Sequence, residues 1–93
     1  MDIKNKYDII GYVIASYYRI KTLKILSKSM KMPSEIAKEL YNKYSQVSTA
    51  LSELKRIKLV ICINESKTKG RFYKITENGK EILKNIEELN IVH

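Results

Sequence analysis

Five small polar side chains, Ser45, Gln46, Ser48, Thr49 and Ser52, crowd one stretch of the chain, interleaved with Val47, Ala50, Leu51, Leu54 and Ile57. The apolar set falls at helical spacing, so a helix from about Tyr44 to Lys58 turns it inward and leaves the polar set outside. Hydroxyls and a carboxamide on an exposed helix can hydrogen-bond to the edges of bases. Gln46 has the shape to pair with adenine N6 and N7, and Thr49 can touch a thymine methyl. All five are candidate base contacts, with Gln46 and Thr49 foremost. Their small size also lets the helix start, with its free N–H groups and partial positive charge, come close to phosphate.

A second cluster, Lys67-Thr68-Lys69-Gly70-Arg71, sits where two alternating segments meet. Lysines at such a tip suit phosphate oxygens, and Arg71 suits phosphate or a narrow minor groove. A structural place against the strand is also open to Arg71. Lys43, Tyr44, Lys55 and Arg56 flank the polar helix and join Lys67, Lys69 and Arg71 as candidate backbone contacts.

These residues need elements to hold them. Ser16 reads as the N-cap of a helix from Tyr17 to about Ser29, with Ile20, Leu23, Leu26 and Met30 on one face and Lys21, Lys24 and Lys28 on the other. Pro33 suits the first position of the next helix, and Ile36, Ala37 and Leu40 form its buried stripe. That helix ends near Tyr41-Asn42, where Asn tolerates a left-handed conformation. Leu59–Asn64 and Phe72–Ile75 alternate as a hairpin, and Gly70 supplies a positive φ at its tip. Thr76 caps a last helix from Glu77 to about Leu89, with Ile82, Leu83, Ile86 and Leu89 as its stripe. Tyr7–Ala15 is apolar and contains Gly11. Asp8 could cap a helical turn there, or the β-branched residues could form a strand.

Charge supports the same reading. The 93 residues carry a net charge of +8, and Lys43–Lys74 hold eight basic against two acidic side chains. From Glu77 onward the balance is −2. A segregated basic half favours a polyanion as partner. The length fits one domain, with its core at about 16–76. No apolar run is long enough to cross a membrane, and the N-terminus lacks the pattern of a signal peptide, so a cytoplasmic location is expected. One cysteine, Cys62, and one histidine, His93, offer little to a metal site or a catalytic constellation, and no cofactor is expected. No Gly-rich phosphate loop and no nucleophile elbow appears, which disfavours an enzyme.

Tyr18-Arg19, Leu23, Leu26, Pro33-Ser34-Glu35-Ile36-Ala37, the run Ser45–Leu54, Leu59-Val60 and the run Gly70–Gly79 together resemble small archaeal winged helix-turn-helix transcriptional regulators, similar to the ArsR, MarR and PadR-type families. The resemblance implies a mainly α fold with a small β-hairpin: a three-helix core plus a wing over residues 64–71, an extra N-terminal segment and a C-terminal helix. It also implies a homodimer on double-stranded DNA. The chain departs from the pattern in three ways. Tyr41 stands where the turn usually has Gly, Met32 replaces a capping Ser or Thr, and a Cys-containing metal-sensing motif is missing.

The last helix stripe has little of its own domain left to cover on this reading, so residues 1–15 and 77–93 are expected to be dimerisation elements. Four tyrosines, Tyr7, Tyr12, Tyr17 and Tyr18, lie near the N-terminus as packing residues or the lining of a seam or pocket. The expected function is sequence-specific binding of duplex DNA by a regulator. The alternative is a winged-helix protein-interaction module of transcription or replication machinery, since one fold serves both.

Overall fold

The computed structural model describes residues 5–89 of the chain. Five helices and a two-stranded hairpin follow in the order α1 (Lys6–Ile14), α2 (Tyr17–Leu26), α3 (Pro33–Glu39), α4 (Tyr44–Arg56), β1 (Val60–Cys62), β2 (Tyr73–Ile75) and α5 (Glu77–Glu88). The fold is mainly helical with a small hairpin, as the spacing of apolar residues implies. No described helix is long and apolar enough to cross a membrane.

Local chemistry sets most boundaries. The Ser16 hydroxyl accepts from the Arg19 N–H at the start of α2, and the Thr76 hydroxyl accepts from the Gly79 N–H at the start of α5. The Tyr7–Ala15 stretch resolves as helix α1, which ends at Ile14, and Asn5 rather than Asp8 caps its start, its side chain accepting from the Asp8 N–H. At α3, Met32 gives no side-chain cap. The Glu35 carboxylate instead accepts from the Met32 N–H at 2.8 Å, which is the return half of a capping box. Helix α2 stops at Leu26, so Met30 leaves the expected stripe and stands about half exposed.

The turn between α3 and α4 is left-handed at two residues, with φ of 61° at Tyr41 and 57° at Asn42. The Asn42 N–H closes it on the Ala37 carbonyl at 2.8 Å. A bulky residue at positive φ is uncommon, and Tyr41 holds this conformation at the position where Gly would meet no Cβ penalty.

In the hairpin, Val60 faces Ile75 and Cys62 faces Tyr73 in antiparallel register. Lys31 adds an isolated bridge to Tyr73, exchanging both backbone hydrogen bonds at 3.1 and 2.8 Å. The loop after α2 is thereby stitched to the outer edge of β2.

One apolar cluster joins every helix, from Ile10 and Val13 of α1 through Ile20, Leu23 and Leu26, Ile36 and Val47 to Ile82, Leu83 and Ile86 of α5. This corrects the expectation that the α5 stripe lacks cover in its own domain. Helix α1 packs on α5, and Ile82, Leu83 and Ile86 are buried within the chain. Leu89 is the exception, half exposed beyond the end of α5. The expected stripe residues Ile91 and Val92 lie outside the described residues. Thr22 is fully buried, and its hydroxyl finds no hydrogen-bond partner among the described residues.

Candidate nucleic-acid interface

Helix α4 buries Val47, Ala50, Leu51 and Leu54, and this single stripe decides where every other side chain points. Ser45, Gln46, Ser48, Thr49 and Ser52 are all exposed. Helical geometry separates them further. Ser45, Thr49, Ser52 and Arg56 recur at i, i+4, i+7 and i+11, the middle of the outward face. Gln46 and Glu53 lie two turns apart on one flank, and Ser48 and Lys55 on the other.

Contacts with the neighbouring elements identify the two flanks. Glu53 accepts from the Arg19 guanidinium of α2 at 3.0 Å. Gln46 therefore borders a surface groove of about 390 Å³ whose walls are Ser16, Tyr18 and Arg19 on the α2 side and Ser45, Gln46, Thr49 and Glu53 on α4. On the other flank Lys55 is ion-paired to Glu65 of the wing. The wing thus stands on the Ser48–Lys55 side, and Gln46 is turned toward α2.

The start of α4 suits an anion. Lys43 is its N-cap residue and makes no side-chain capping bond, and the first turn holds no acidic residue. Its leading N–H groups are left for an outside acceptor. Tyr44 is about half exposed at the same end.

The wing loop is built by two residues. The Asn64 carboxamide donates to the Gly70 carbonyl at 3.0 Å and accepts from the Phe72 N–H at 2.8 Å. The Arg71 guanidinium donates to the backbone carbonyls of Lys67 and Glu65. Arg71 is thus engaged structurally, but as a clasp on the loop's own backbone rather than against the strand. Gly70 carries φ of 69°, which closes the tip. Lys67 and Lys69 are exposed on this frame, and neither forms an ion pair among the described residues. Asn64 was missed by sequence reasoning, because its role depends on a loop closing across six residues.

Electrostatics tie the wing to α4. The hydrogen bond with Glu65 raises the Lys55 pKa above its ordinary value, and the same bond holds the Glu65 carboxyl below the usual carboxylate range. Arg56 is the remaining flanking cation, and its guanidinium donates to the Tyr12 hydroxyl at 3.2 Å.

A helix, a left-handed turn and a second helix with its polar face outward, followed by a hairpin fixed beside it, decide the comparison. The chain belongs to the winged helix-turn-helix family. The family model matches residues 18–93, from the start of α2 onward. No curated protein matches the chain. Within the family pattern, α3 and α4 are the helix-turn-helix and β1–β2 with its loop is the wing. The winged helix-turn-helix is a DNA-binding fold, typically without enzymatic activity.

Proposed function

We propose that this winged helix-turn-helix protein is a transcriptional regulator that binds duplex DNA in a sequence-dependent way, α4 entering the major groove. The observation that carries the reading is the outward face of α4. Short polar side chains, Ser45, Thr49 and Ser52, run up its middle to Arg56, behind a helix start with no side-chain cap and no acidic residue. A groove-filling helix needs this combination: little bulk to hold it off, hydrogen-bonding groups for base edges, and positive charge at both ends.

Thr49 and Ser45 are the foremost base contacts in this reading. Gln46 and Ser48 reach bases at the margins of the groove. Lys43 and Tyr44 meet the backbone at the helix start, while Lys67 and Lys69 carry the wing to phosphate or to the neighbouring minor groove. Two copies acting on a palindrome would set their α4 helices about 34 Å apart. Since the α5 stripe is already covered, a homodimer would use other surface, such as exposed Tyr7 and Leu89.

The test is binding to duplex DNA as a function of salt. Log affinity should fall with log salt by about 0.9 for each phosphate neutralised. Replacing Lys67 and Lys69 with Ala should lower that slope by roughly 1.8, the sum for two contacts. Thr49→Ala should leave the slope unchanged and alter the sequences recovered from a randomised pool. Affinity that ignores salt would refute phosphate docking. An unselective pool would reduce the protein to a nonspecific DNA binder.

A further inference from the structure

Helix α1 lies ahead of the residues that match the family, yet one of its side chains is linked to the recognition helix at two points. The Arg19 guanidinium lies over the Tyr12 ring, 3.9 Å from its centroid, and Arg19 Nε donates to the Tyr12 carbonyl oxygen at 2.8 Å. The same guanidinium donates through Nη1 to Glu53 on α4, at 3.0 Å. At the tip of the Tyr12 side chain, the phenol oxygen accepts from Arg56 Nη2 at 3.2 Å. Tyr12 therefore meets two arginines. One is shared with Glu53, and the other is the last residue of α4.

We propose that Tyr12 is a positioning residue for DNA binding, holding Arg56 in place at the end of the recognition face. The proposal rests on the reading of α4 as the DNA-contacting helix. An arginine on a helix terminus samples many rotamers, and ordering it on a phosphate costs conformational entropy. A phenol oxygen that holds the guanidinium by one N–H leaves its other N–H groups for a phosphate or a guanine edge. Part of the ordering is then done before DNA arrives. Arg19 plays the complementary part, because its stack on Tyr12 and its bond to Glu53 hold α1 against α4. The phenol is thereby presented from a fixed base. An element outside the family segment thus adjusts how strongly this chain grips DNA.

The experiment is a double-mutant cycle on the full chain, read by binding to a short labelled duplex of mixed sequence. Tyr12→Phe removes only the phenol oxygen and keeps the ring under Arg19 and the backbone carbonyl. It should weaken binding about threefold, the loss of one modest hydrogen bond. In an Arg56→Gln background it should have no further effect on binding, and thermal melts should show all four proteins folded at the temperature of the binding assay. Equal weakening by Tyr12→Phe in both backgrounds would assign Tyr12 a purely structural role and overturn the proposal. Unchanged binding in both would overturn it too. If the unsubstituted protein fails to bind duplex DNA, the functional reading itself falls, a different result from either of these.

Discussion

At Gly79, a Cβ would run into the Leu59 carbonyl oxygen and the Ile75 side chain, both of which belong to the hairpin side of the core. The glycine lets the first turn of α5 close directly on the chain between α4 and β1. Thr76 reinforces the junction, its N–H donating to Leu59 O at 2.9 Å and its hydroxyl to Lys58 O at 2.8 Å. Because the obstacle is backbone, it cannot rotate out of the way. Gly79→Ala should destabilise the protein by about 3 kcal/mol, at the upper end of overpacking costs. Calorimetry should show Tm falling by more than about ten degrees for a chain of this size. The Thr76 cap was legible from its sequence context, whereas the crowding at Gly79 was not. Local pattern shows what a residue can do to its own helix, but a close approach by another segment depends on the completed fold.

Among the elements, the helices α2 to α5 were legible because each carries one apolar stripe, and α2, α3 and α5 also have a recognisable start in Ser16, Pro33 and Thr76. The first helix was not. Ile9, Ile10, Val13 and Ile14 suit a strand as well as a helix, and the choice was made by packing: Ile10 and Val13, one turn apart, are buried in the shared core. The outward face of α4 was read correctly as exposed, but its flanks could not be. Which flank meets the wing depends on Lys55 finding Glu65, and which meets α2 depends on a salt bridge between residues 34 positions apart.

The Lys55–Glu65 pair has a consequence for binding. The lowered Glu65 pKa gives its stabilising effect above the ordinary carboxylate value of 4.5, and that effect is lost as pH falls through the depressed value. The raised Lys55 pKa contributes fully below its ordinary 10.5 and is lost only as pH rises through the raised value. The tie between the wing and α4 therefore holds across the whole neutral range. Glu65→Gln should reproduce the acid state at neutral pH and release Lys55 from its partner. Salt titrations should then show DNA binding steeper by up to about 0.9 in slope, the share of one added phosphate contact. An unchanged slope would show that Lys55 does not meet phosphate.

At the scale of the molecule, positive charge extends well beyond Lys43–Lys74. Between Asp8 and Glu35 there is no acidic residue, while Arg19, Lys21, Lys24, Lys28 and Lys31 all fall there. Together with Lys67 and Lys69 they give the protein a field that should speed its encounter with a polyanion and fade as salt is added. The surface proposed to meet DNA is a small part of a broadly cationic body.

The seating of α1 over α5 separates two lengths of chain that are easily equated. The family segment begins at residue 18, but its closing helix needs residues ahead of that boundary as a roof. A protein trimmed to residues 18–93 should present a greasy strip of Ile82, Leu83 and Ile86, bind a hydrophobic dye, and clump on concentration where the intact chain does neither. Anyone grafting the family segment onto another protein would have to carry the leading helix along with it, although that helix lies outside the part that the family model matches.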